Sequence, residues 1–430
     1  MDSDFHYYGT GTAALEAGYS QTDATLIANV AQYVDWFDSD YWSNWHIVNS
    51  KGQPVNDQTG KQYKYAYPQL SVQKIDFKMA VDYDANIWNP FHFPPGNLPY
   101  TNNGTGWAKA FNQNHAVRKT NLKPADANKL CRPFSKFALD MIVDTIGKYQ
   151  ELSTANSAKL ASLIKDWVAP RSRCPATDGR KLALYLLGLR IHVLSDTWAH
   201  QDFTGEPNVK INGAGMLNNV FAKDAEGNWQ KSTWTGTVWA LNGDTDCAAA
   251  PVTGTDKTAA GHGQMGHYPD YSWLVFRYPA AWLPSDQSHL ERNNPAEYEQ
   301  AWRWISFAMA LCNGNKGDGD LPEQVPQAYV DVMKTWHELS TKGLRAVAES
   351  EKLWRQTSGG QKIPTRWDPA ERKPLGLYDG LAKTRFGYIN VVQDSTLHLM
   401  ELAAAMHYQF CVQWMAANPD YSWKPWQPKT

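Results

Sequence analysis

The chain has 430 residues, 43% of them hydrophobic, and its 41 Lys and Arg against 43 Asp and Glu leave a formal net charge of −2. That length and apolar content suffice for a large core in one big domain or two fused ones. The charge balance excludes the basic footprint of a protein that grips extended nucleic acid through its phosphates, while leaving small phosphoesters open.

No apolar run reaches the roughly 18 residues of a membrane span, and the N-terminus lacks the basic and apolar regions of a signal peptide. The expectation is a soluble chain, cytoplasmic or exported without a cleaved signal peptide, or the mature form of something longer. Five cysteines, Cys131, Cys174, Cys247, Cys312 and Cys411, form no C-x-x-C pair, and their odd number argues against a full disulfide framework. Twenty Trp and 21 Tyr are too many for the core alone, so some are expected to line a pocket for an amphiphilic or sugar-like ligand.

In chain order, "MDSDFHYYG" places Asp4 and His6 near the start. "SQTDATLIANVAQYVDWF" then predicts a helix, with Ser20 or Thr22 as its cap and Leu26, Ile27, Val30, Ala31 and Val34 on one face, ending near Asp35. Residues 42 to 130 read as long loops with short strands, and within them "NPFHFPPG" fixes His92 between Phe91 and Phe93 in a proline-stiffened loop. Helices resume with "PFSKFALDMIVDTIGKYQE", "NSAKLASLIKDWVA" and a segment from about Lys181 to Gln201. A second irregular stretch covers about 202 to 285. It contains "GHGQMGHYPDYSW", where His262, His267 and Asp270 lie among glycines that free the backbone to turn imidazoles inward.

The C-terminal part, about 290 to 420, reads as helical again. It carries His398 and Glu401 one turn apart as a competing ligand pair. "NGNKGDGD" lacks the acid that a calcium loop needs at its twelfth position and reads as a turn. With helices on either side of each loop region and little strand alternation, the pattern predicts a single large all-α domain with long irregular loops, its metal motifs within 1–280.

The segment "GLRIHVLSDTWAH" carries the chemistry. His192, Asp196 and His200 recur every fourth residue, within roughly 80° of one another on a helix that is apolar almost all round. A carboxylate buried between imidazoles must take up a proton or find a cation, and a metal ion is the simplest partner. At about 1.5 Å rise per residue the outer histidines stand about 12 Å apart, too far for one ion, so two or more ions are implied, with Asp196 bridging. A structural His–Asp–His hydrogen-bond chain is the alternative.

"DFHYYGT", "AQYVDW", "PFHFPPG", "HVLSDTWAHQDFTG" and "GHGQMGHYPD", in that order, resemble a largely uncharacterised bacterial family related to the zinc-dependent phospholipase C superfamily, which also holds single-strand-specific zinc nucleases. The resemblance is patchy over about the first 280 residues and implies a phospholipase C-like helical bundle holding three zinc ions. Carried over, Asp35, His92, His192 and Asp196 would hold one ion. His6 and Asp196 would hold a second, with Asp4 or backbone groups of the N-terminus as further candidates. His200 would hold the third with His262 or His267 and Asp270. Two features depart from the superfamily: residue 1 is Met where its members use a free N-terminal Trp, and only three residues separate Asp196 from His200.

The implied reaction is hydrolysis of a small phosphoester or phospholipid by two or three zinc ions. Asp35 or Asp196 would orient the attacking water, and Trp198, Tyr268 and Tyr271 would contact the substrate. A zinc nuclease and a non-catalytic, metal-stabilised binding protein are the alternatives.

Overall fold

The structure, a computed structural model, describes residues 1–37, 44–65, 68–72, 87–100, 105–168, 173–206, 208–214, 220–224, 226–231, 261–315, 317, 321–322, 324–340, 344–364 and 388–421. Cys247 and much of "NGNKGDGD" lie outside these residues. The other four cysteines are buried free thiols.

A π-helical turn over Asp4–Gly9 runs into α1 (Thr10–Glu16), and α2 follows (Gln21–Tyr33). Ser20 caps α2, its hydroxyl accepting from the Asp23 amide at 3.1 Å. Two short helices, Gly106–Gln113 and Pro124–Ala127, interrupt the stretch read as loops and strands. Then α3 (Lys136–Thr154), α4 (Ser157–Trp167) and the central α5 (Gly179–Ala199) follow, each opened by a side-chain cap: Ser135, Asn156 and Asp178. Every residue of α5 from Leu182 to Ala199 is buried, as its all-round apolar sequence predicts. α5 packs against α2, α3, α6 (Asn294–Cys312) and α8 (Thr396–Ala417), while α7 (Leu344–Gln356) lies against the N-terminal turn.

The all-α expectation is overturned by two sheets. The first has the order β2-β1-β7: β1 (Asn44–Val48) pairs antiparallel with β2 (Lys64–Tyr65) and parallel with β7 (Tyr388–Val392). The second is antiparallel in the order β4-β3-β5-β6, built from β3 (Phe221–Lys223), β4 (Trp229–Lys231), β5 (Val275–Tyr278) and β6 (Leu290–Asn293). The protein is therefore mixed α and β. These strands have two to five residues, too short for a period-2 pattern to stand out, and β7 falls in a region read as wholly helical. Within the part read as helical, the described residues also form the helices Gln327–Lys334 and Trp336–Ser340 before α7, the first ending where Thr335 leaves helical geometry.

Two apolar cores result. The larger surrounds α5, and the smaller lies under the second sheet around Phe203, Trp273, Phe276 and Trp282. The C-terminal end of α5 is where they meet. There the buried Arg292 of β6 donates to the carbonyls of Trp198, Ala199 and Gln201, satisfying the open helix end with a cation where the helix dipole is negative. Among the described residues no helix is long and apolar enough to cross a membrane.

Candidate metal centre

Asp196 is the hub. Its Oδ1 lies 3.0 Å from the Met1 α-amine and 3.1 Å from His6 Nε2; its Oδ2 lies 3.0 Å from both His92 Nδ1 and His192 Nε2, and 3.5 Å from His200 Nδ1. Asp270 gathers the other end, Oδ1 at 3.2 Å from His200 Nε2 and 3.3 Å from the Met1 amine, Oδ2 at 3.4 Å from His262 Nε2 and 3.5 Å from His267 Nδ1. Asp35 lies in the turn just after α2, 29% exposed, with Oδ2 3.9 Å from His6 Nε2 and Oδ1 3.6 Å from His192 Nε2 and 3.9 Å from His92 Nδ1.

Four imidazoles are held by one device. His192 Nδ1 donates to the Ala31 carbonyl at 2.8 Å, His92 Nε2 to Ser71 at 3.1 Å, His200 Nδ1 to the His92 carbonyl at 2.8 Å, and His262 Nδ1 to Gly266 at 2.6 Å. A carbonyl only accepts, so the outer nitrogen carries the proton and the inner nitrogen of a neutral ring presents a lone pair. Burial lowers His192 and His262 to about 4, His92 below its ordinary value and His6 well below it. For Asp196, burial would push the carboxyl up, but His200, the Met1 amine, His192 and His6 hold it well below the usual range. Asp270 is held down likewise, His262 and the Met1 amine outweighing burial. Burial raises Asp35 well above its ordinary value, Asp196 and Asp270 adding to the effect. Burial lowers the Met1 amine, but Asp196, Asp270 and Asp35 overcome it and raise the group to about 11.

This donor set fits metal ions. His92 Nδ1 and His192 Nε2, both lone pairs, face each other at 3.2 Å, and His6 Nε2 is buried with no group in hydrogen-bonding alignment. Both arrangements are unfavourable without a cation between the donors. Three groups could each hold an ion, their potential ligand atoms within 4.8 Å of one another: His92, His192 and Asp196; His6, Asp35 and His192; and His200, His262 and Asp270. Ring geometry separates the first two. The His92 and His192 planes cross at 84°, so their lone pairs can converge, whereas His6 and His192 stack at 18° with centroids 3.9 Å apart, which puts theirs in separate, nearly parallel planes. On that geometry His6 and His192 would serve different ions, and Asp35 and Asp196 each turn one oxygen toward His6 and the other toward His192.

A cavity of about 570 Å³ opens onto Asp35, His92, His200, His262, His267 and Asp270. Its aromatic walls are Trp36 and Trp88, with Gln32, Val347 and Glu351 beside them. None of the three aromatic residues expected at the substrate lines this cavity, although Tyr271 stacks on its His267 with ring centroids 6.0 Å apart. Trp198 is fully buried and donates to Gln300 at 2.9 Å, while Tyr268 and Tyr271 are buried, Tyr271 stacked on Trp273. Asp4 is not among the clustered ligands but accepts from Ser272 and Ser350. Glu401 pairs with Arg173 at 2.6 Å, and His398 is hydrogen-bonded at both nitrogens, to the Asp394 amide and the Cys174 carbonyl, so that pair has a structural role. Asp2 and Glu351 joined the site unannounced. A signal existed for the two tryptophans, Trp36 adjoining Asp35 and Trp88 lying one turn before His92.

All the clustered residues fall within residues 1–379, which match the family of unknown function DUF6765, and the chain belongs to that family. No curated protein and no solved structure matches it.

Proposed function

We propose that the chain is a zinc-dependent phosphoester hydrolase, similar in chemistry to the zinc-dependent phospholipases C, acting on a small phosphoester or a phospholipid-like substrate. The observation that carries this reading is the set of inward imidazole lone pairs and three carboxylates at the base of an open cavity. Two or three zinc ions are assigned. His92, His192 and Asp196 would hold one together with Asp35; His6 and Asp196 would hold a second; and His200, His262 and Asp270 would hold a third with His267 beside it. Bound zinc would supply Lewis acidity, which acidifies water and offsets charge on phosphoester oxygens.

The chain's own residues do the rest. Asp35 faces the cavity, with Oδ2 3.3 Å from the Gln32 side-chain amide, which places it to orient a water beside the ions. Asp196, with no exposure, holds the His6 and His92–His192 groups at fixed spacing. Trp36 and Trp88 offer apolar surface to an amphiphile.

Among the described lining residues there is no Lys or Arg, whereas Asp2, Asp35, Asp270 and Glu351 crowd the cavity with acids. That balance disfavours a polyanionic nucleic acid. Access from the cavity to His92, His200, His262 and Asp270 disfavours a centre closed by protein ligands. The test offers zinc-loaded protein a choline or ethanolamine phospholipid, a chromogenic phosphodiester and single-stranded DNA, with Asp196→Asn as the blank. Turnover of the first two is expected. Cleavage of DNA alone would replace this reading with a nuclease, and no turnover by folded, metallated protein would replace it with a binding protein.

A further inference from the structure

The second sheet has two unlike faces. Register places Ala222, Gln230, Phe276, Tyr278, Leu290 and Arg292 on one side, where the four residues of β5 and β6 are buried and Arg292 is bonded to the end of α5. Phe221, Lys223, Trp229, Lys231, Arg277 and Glu291 share the other. None of these six is buried, and Lys231 is exposed. An outward face of an antiparallel sheet ordinarily carries polar residues, so two large rings there are out of pattern.

The rings are organised around cations. The Arg277 guanidinium lies 4.4 Å from the Trp229 centroid and 4.8 Å from that of Phe221, and Lys223 Nζ lies 4.8 Å from Trp229. Glu291 offsets one charge, pairing with Lys223 at 3.3 Å, so the face keeps two net positive charges in a chain of net charge −2. Aromatic rings interleaved with long cationic side chains on strands of three or four residues suit a headgroup layer: the rings and the Lys and Arg stems enter the apolar boundary, and the charges meet lipid phosphates.

We propose that this face docks the protein on an anionic lipid surface. The observations favour a membrane over a nucleic acid because the rings are clasped against cations instead of being spread as a stacking track along a strand. The inference is independent of the metal centre, since binding needs no turnover.

The experiment pellets the full-length chain with vesicles of phosphatidylglycerol and phosphatidylcholine, and with vesicles of phosphatidylcholine alone, at low and high salt. Partition onto the anionic vesicles is expected, weakening as salt rises. Each unit of positive charge lost should cost about fivefold, so Arg277→Gln, a change of one unit, loses about fivefold and Lys231→Glu, a change of two, about 25-fold. Lys159→Glu, at an exposed position on α4, pellets like the parent. Because Lys231 is exposed, its variant should keep the parent melting temperature. Equal partition onto both vesicle types, or Lys231→Glu pelleting like the parent, would overturn the proposal. So would retention on DNA without any pelleting.

Discussion

Gly188 lies one turn before His192 on α5, and a methyl group there tests how the centre is held. A Cβ at this position would stand 2.8 Å from the Ile27 carbonyl oxygen and 2.8 Å from Val30 Cβ, where ordinary contact begins at 3.4 Å. In Gly188→Ala, α2 must therefore move off α5 by about 0.6 Å, the difference between those distances. Ala31 follows Val30 directly, so its carbonyl moves too, and the 2.8 Å bond to His192 Nδ1 stretches to about 3.4 Å. Losing that partner frees the ring to rotate and change tautomer, which costs about 10–100-fold in metal affinity. Stability of the metal-free protein should change far less, because overpacking of about 1–3 kcal/mol is partly offset by the roughly 1 kcal/mol that Ala gains over Gly in a helix. The assay is zinc competition against a chelator of known affinity, alongside melting of the metal-free protein. Unchanged zinc affinity in a variant whose melting temperature has fallen would refute the argument that backbone carbonyls fix these lone pairs.

Elemental analysis of protein purified without chelator should find two or three zinc ions per chain, and less than one, with no gain on zinc addition, defeats the metal assignment. Asp196→Asn keeps the side chain's shape but removes the charge shared by the imidazoles, so at least one ion and most of the activity should be lost; full metal content with an unchanged melting temperature would mean a hydrogen-bonded core chain instead. Asp202 gives a pH prediction. Burial would raise its carboxyl, but Arg132 at 2.8 Å and Arg118 at 2.9 Å lower it to about 2. A depressed carboxyl contributes stability that is complete above its ordinary value of 3.8 and fades as pH falls toward 2, here about 2 kcal/mol. Asp202→Asn should thus melt well below the parent at pH 7 and converge with it near pH 2, and a gap that stays constant across that range would refute the pairing.

The central stripe was legible because a helix converts spacing into direction: residues four apart share a face, so His192, Asp196 and His200 had to lie together whatever surrounded them. The same rule places Trp198, two residues and about 200° on from Asp196, on the opposite face. There it meets Phe134 and Gln300 instead of substrate, so its assignment to the pocket contradicted information already in the helix. His6, Asp35 and His92 come from three other segments, and no spacing rule specifies where such segments converge; only their residue types and loop context marked them. Backbone carbonyls are invisible to pattern reading because every residue has one. Ala31, Ser71 and Gly266 therefore carried no mark of their part in holding His192, His92 and His262. The strands failed for a related reason. Asn44 pairs with Tyr388 across more than 340 residues, in a parallel ladder that no hairpin turn announces, and the five residues on each side are too few to display a period. A helix carries its geometry within itself, while a sheet and a metal centre are defined by partners distant in sequence, and the division between what was readable here and what was not follows that line.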